Sequence, residues 1–234
     1  MSNLATDITN SPLFGIIITI LAFEIGIFIN RKTKMLIFNP LLIAIAIIIT
    51  FLVTLNIDYD SYNKGGEIIT LILGPATVAF AIPLYRQLKV LKENLKVIIL
   101  GIGSGCIASA ISIFTLAKIF KFSPELYYSL IPKSITTTIG MGIVEELGGH
   151  PSVVVPVIII TGIVGAIIAT TICRVCKIKD SVAVGLAMGT AAHAIGTTRA
   201  MEIGEIEGAM SSLAIVVAGL MTVIIAPIAA VLIK

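Results

Sequence analysis

Charge is scarce in this chain. Asp, Glu, Lys and Arg make up 12% of its residues against 57% hydrophobic ones, and the mean hydropathy is +1.10, which excludes an ordinary globular domain in water. Cysteine is sparse too. Cys106 lies in a Gly/Ser-rich apolar run, and Cys173 with Cys176 forms a lone CRVC; without a companion pair this reads as structural and excludes a disulfide framework. The two histidines, His150 and His193, stand in separate blocks, and no carboxylate has ligand spacing to His193, so neither a metal nor any other cofactor is expected. The first residues lack a basic leader region and an A-x-A-like cleavage site, so the first apolar run is expected to remain as a span. The formal net charge of +3 is spread over short loops, which argues against nucleic-acid binding.

What remains is hydrocarbon. Apolar runs fall at about 12–30, 36–55, 67–85, 95–120, 126–147, 151–172, 182–201 and 208–233, most of them of membrane-spanning length. They define an all-α integral membrane protein with seven to eight hydrophobic segments, a single transmembrane domain over 1–234 with lipid as its solvent. Within it, 1–65 supplies two scaffold spans and 66–234 the core. Basic residues cluster at Arg31, Lys32 and Lys34, at Arg86, Lys89, Lys92 and Lys96, and at Arg174, Lys177 and Lys179. All three clusters are expected in the cytoplasm. Eight simple crossings conflict with that; a fifth segment that enters and leaves on one side removes the conflict and leaves the last span ending in the cytoplasm.

The fifth segment, PKSITTTIGMGIVEELGGHP, is too polar for a lipid-exposed helix and must be shielded by protein. The third contains Gly74-Pro75 and Pro83, and the seventh Gly189, Gly196 and Gly204, so both are expected to break or unwind. Gly105, Gly162 and Gly219 are evenly spaced, and the same interval separates Pro75 from Pro132. This suggests weak internal repeats of a broken or re-entrant segment followed by a full span.

Four blocks carry a family resemblance: GPATVAFAIPLYRQLKVLKENLKVI from Gly74, PKSITTTIGMGIVEELGGHPS from Pro132, ITGIVGAI from Ile160 and GLAMGTAAHAIGTTRAMEIGEIEGAMSSLA from Gly185. Together they resemble the LrgB/CidB family from about Leu71 to the C-terminus, the first two spans agreeing only in hydropathy. The resemblance implies a multi-pass protein of the cell membrane, holin-like or antiholin-like, modulating murein hydrolases and autolysis. It also implies kinship with transporters of small monocarboxylates such as pyruvate, glycolate or glycerate, and a smaller LrgA/CidA-type membrane partner. Where relatives commonly read TTP, this chain has Thr136, Thr137 and Thr138, which removes a proline kink.

Small carboxylates need positive potential and hydrogen-bond donors. Thr136, Thr137, Thr138, Thr190, Thr197 and Thr198 supply hydroxyls among Gly-rich segments, either as donors beside unwound helix ends or as small residues that let helices pack closely. His193, mid-segment, is expected to bind substrate or carry a proton, or else to be a satisfied structural histidine. Arg199 offers a fixed countercharge. Glu202 and Glu145 are candidate proton carriers, Glu145 being expected as the more buried of Glu145 and Glu146, while Glu205 and Glu207 read as solvated or capping.

The leading expectation is a non-enzymatic secondary carrier for a small organic anion, proton-coupled through His193, Glu202 or Glu145. The alternative is a holin-like or antiholin-like protein that oligomerises and modulates cell-wall hydrolase release. Ser211 and Ser212 with His193 match an intramembrane protease in spacing alone, with no activating motif around them.

Overall fold

The computed structural model describes residues 8–33, 38–79 and 81–233, apart from the side chains at 73, 74, 76, 77, 81, 83 and 84. All the regular elements it holds there are α-helices, and the chain divides into two compact units, Met1–Ala79 and Phe80–Lys234.

The first unit holds α1 (Pro12–Thr33), α2 (Pro40–Thr54) and α3 (Tyr59–Ala79). Asn39 caps α2 by accepting from the Leu41 N–H, with Pro40 opening the first turn, a favoured N-terminal pairing. Helices α1 and α3 meet at glycine: a β-carbon on Gly15 would stand 3.0 Å from the Gly65 Cα. One turn on, the Thr19 and Tyr62 hydroxyls are 2.8 Å apart.

The second unit runs α4 (Ala81–Arg86), α5 (Leu88–Glu93), α6 (Leu95–Phe120), α7 (Pro124–Leu130), α8 (Thr137–Leu147), α9 (Pro151–Val175), α10 (Ser181–Ile203) and α11 (Glu205–Val231). Among the described residues four helices, α1, α6, α9 and α11, are long and apolar enough to cross a membrane. That is fewer than the seven to eight hydrophobic segments of the sequence. The reason is local: 126–147 is divided between α7 and α8, and 182–201 is broken inside α10, while α2 is a shorter apolar helix.

Helices α7 and α8 form a hairpin. The last turn of α7 is tied to the residue that precedes α9, where the His150 N–H donates to the Ser129 hydroxyl at 2.7 Å, and the connection between the two helices is the turn from Ile131 to Thr136. Pro124 and the Ser123 hydroxyl, which accepts from the Leu126 N–H, start α7, and Gly148 at φ 79° stops α8, a conformation glycine adopts freely.

Helix α10 holds the break expected in the seventh segment, and there the chain also reverses into a second hairpin, which the sequence did not disclose. At His193 the backbone turns to φ 40°, ψ −132°, and Gly196 comes back against Ala192, a β-carbon there standing 2.7 Å from that of Ala192. The packing on α11 fixes the direction of each arm. Gly185 lies against Glu207 and Met210, and Gly189 against Ser211 and Ala214, so the first arm runs parallel to α11. Thr197 then reaches Ser211 again, and Met201 lies against Gly208, so the second arm runs antiparallel. The seventh segment is therefore not a crossing. The sequence-based orientation of the last span is corrected with it: α11 starts at the end of the unit where α10 starts, beside Arg174 to Lys179, and finishes at the other end.

The two hairpins consequently enter from opposite ends of α9, since one lies between α6 and the start of α9 and the other between the end of α9 and α11. Their tips converge on α6. The Ser134 hydroxyl lies 3.4 Å from that of Ser109, and a β-carbon on Gly105 would stand 2.8 Å from the Thr190 methyl; Gly105 and Ser109 are one helical turn apart on a common face. Around them Ile98, Ile102, Ile113, Tyr127, Met210 and the alanine stripe of α11 close the core, and the Tyr127 hydroxyl donates to the Ala229 carbonyl at 2.9 Å.

Candidate functional site

Between α6, α9, the first arm of α10 and the α7–α8 tip lies a cavity of about 940 Å³, within the range of ligand sites, to which Lys133, Ser134, Ser109, Thr161 and Thr190 contribute polar groups. Ser109, Ser134 and Thr190 also line a tight space of about 10 Å³ together with Cys106 and Thr222, room for about one water. The cavity is open and mostly apolar, and Ser109, Ser134 and Thr190 are shared between it and the tight space. Lys133 is half-buried and donates to the Ser134 hydroxyl at 3.1 Å. The Thr190 hydroxyl oxygen is buried without a partner, at a cost of about 1–3 kcal/mol.

Of the candidate site residues read from the sequence, Thr190 alone lines this cavity. His193 and Thr197 belong to a buried network behind it. The His193 Nε2 donates to the Ile158 carbonyl at 3.0 Å, since a carbonyl can only accept, and the Thr197 hydroxyl lies 3.0 Å from the His193 carbonyl and 2.7 Å from the Ser211 hydroxyl. Gly162 makes room for the imidazole: a β-carbon there would stand 2.6 Å from Cε1. This network holds a strained residue, for a non-glycine at positive φ costs about 1–3 kcal/mol.

The other candidates lie elsewhere. Thr136 is the N-cap of α8 without a side-chain capping bond, and Thr137 opens the helix; Thr138 is exposed. Thr198 is exposed and returns its hydroxyl to the Ala194 carbonyl. Arg199 and Glu202 pair with each other on the surface. Glu145 is exposed like Glu146, because the buried face of α8 is Gly140, Ile143 and Val144. Among the described residues no group of three potential metal-binding side chains comes together. Lys133 and Ser134 were missed. They stand in the quoted PKSITTT block, but a lysine between a proline and a serine reads as an ordinary loop cation.

Opposed helical hairpins framed by full-length apolar helices, with polar side chains gathered at their tips, define a multi-pass α-helical protein of the cell membrane. The chain belongs to the LrgB-like family, whose model matches residues 19–232. The match starts well upstream of Leu71, where the legible motifs begin. Among its relatives, the antiholin-like protein LrgB of Bacillus subtilis (strain 168) is 38% identical over 221 residues, 94% of this chain and 96% of the relative. The protein of the same name from Bacillus cereus (strain B4264) is 36% identical over 220 residues, with the same coverage. No solved structure matches the chain.

Proposed function

We propose that this chain is an antiholin-like membrane protein that restrains murein hydrolase activity and autolysis. The observation that carries this reading is its full-length kinship, at 36–38% identity, with proteins named antiholin-like LrgB. The test is detergent-induced autolysis of a Bacillus strain lacking its own LrgB-like protein: expression of this chain slows lysis, and an unchanged lysis rate overturns the reading.

A second reading is favoured by one geometric observation, the meeting of two oppositely directed hairpin tips on one face of α6. Broken helices that meet at mid-depth are how secondary transporters build a site. On this reading the chain is a secondary carrier of a small monocarboxylate. The hairpins are re-entrant, and hairpin-plus-span is the repeated unit, as α7–α8 with α9 and α10 with α11. His193 sits at one hinge, with Glu202 and Glu145 as further candidate proton carriers, and a small LrgA/CidA-type protein or a second copy is its partner. Proteoliposomes decide it: saturable uptake of labelled pyruvate, glycolate or lactate supports the carrier, and non-selective dye leakage overturns it.

A further inference from the structure

We infer that Lys133, Ser134, Ser109 and Thr190 form the head-group pocket for a monoanion with an apolar body. This rests on the carrier reading and assigns its charge-recognising site to residues outside the His193 network.

Depth is the first argument. Ser109, which the hairpin tip touches, lies eleven residues before the end of α6 at Phe120, so at about 1.5 Å per residue the tip sits roughly 16 Å inside that end, past what a lysine stem spans. An ammonium held there needs a partner. Among the described residues Lys133 has none of opposite sign: the ion pair there is Arg199 with Glu202, and neither the cavity Lys133 lines nor the tight space beside it has an acidic residue in its lining. Its bond to Ser134 uses one of three ammonium donors.

The unpartnered Thr190 hydroxyl points the same way. Its oxygen is buried, and the residue lines both the larger cavity, together with Lys133, and the tight space beside it, so an unused hydroxyl donor belongs to the same cavity as the cation. With Ser109 and Ser134 it offers hydroxyls on the two hairpin tips and on α6, a three-sided cradle that a carboxylate of two oxygens can fill. A second negative charge would find no second cation, because among the described residues Lys133 is the one basic residue in the lining, and would face apolar side chains, where an unpaired charge is costly. The walls beyond, Val97, Ile160, Val164, Ile168 and Leu186, accept hydrocarbon. A short-chain monocarboxylate satisfies both ends.

The experiment is equilibrium binding of labelled butyrate and pyruvate to the purified full chain in detergent, followed by uptake in proteoliposomes. Saturable wild-type binding is expected. Lys133→Gln weakens it by about ten- to a hundred-fold, as loss of a charged hydrogen-bond partner implies, while Lys133→Arg stays closer to wild type. Thr190→Val, which keeps the shape, weakens it by roughly five-fold or more. Size-exclusion profiles of the variants report folding, and Thr190→Val with Ser134→Ala serve should Lys133→Gln aggregate. Wild-type affinity retained in Lys133→Gln, or in both hydroxyl variants, overturns the site while leaving carrier function standing. Absence of saturable binding and uptake of either anion by the wild type overturns the site and the carrier reading together.

Discussion

At the scale of single residues, His193 combines strain and repair. Its backbone occupies a region glycine tolerates, yet its ring supplies a buried bond to Ile158 that glycine cannot. His193→Ala should therefore lower apparent thermal stability more than His193→Gly, because alanine keeps the strain and loses the bond, the strain being worth about 1–3 kcal/mol. Melting in detergent measures both, and the reverse order sinks the account. Gly162→Ala should also destabilise, by about 1–3 kcal/mol, since its methyl would collide with the imidazole at 2.6 Å and Ile195 at 2.9 Å. If His193 also couples protons, His193→Gln abolishes gradient-driven accumulation while exchange of substrate survives; wild-type pH dependence in that variant leaves the residue structural.

At the scale of elements, the test of the α10 reversal is its two ends. Cysteines placed at Lys179 and Glu205 in a background without native cysteines should react with an impermeant maleimide from the same side of the membrane, because the arms return to their starting level. A helix crossing straight through would put them on opposite sides. This is also where sequence and structure part. The long apolar helices α6, α9 and α11 were legible because an unbroken hydrocarbon-length run admits few other folds. The α7–α8 segment betrayed itself by its polarity. The α10 segment was expected to break on account of its glycines but not to reverse, and the break falls at His193, not at Gly189 or Gly196. Those glycines instead let backbones approach: Gly189 faces Ala214, and Gly196 the opposing arm at Ala192. Local composition cannot distinguish a glycine that bends from one that packs. Lys133 stayed hidden for a related reason, since its place at depth depends on how far the hairpin tip reaches.

At the scale of the molecule, the basic residues set an orientation. With Arg174, Lys177 and Lys179 in the cytoplasm, the α10 hairpin enters from the cytoplasm and α7–α8 from outside. Cysteines at Ser123 and His150 should then be labelled in intact cells, and those at Lys179 and Glu205 only in inside-out vesicles; labelling of all four from one side refutes the opposed arrangement. The hairpins also bear on how the chain is made. The arms of α7 and α8 have 7 and 11 residues, too short to be lodged in lipid as independent spans, and the arms of α10 are similarly cut short by His193. Each can settle only into a groove that neighbouring spans have already built. On the re-entrant reading, biogenesis runs in two stages, insertion of the spans first and internal folding of the hairpins afterwards. Lesions at Gly162, His193 or Thr197 should leave a chain that is inserted at normal yield yet open to proteases at both hairpins, a quality-control problem inside the bilayer and not one of targeting.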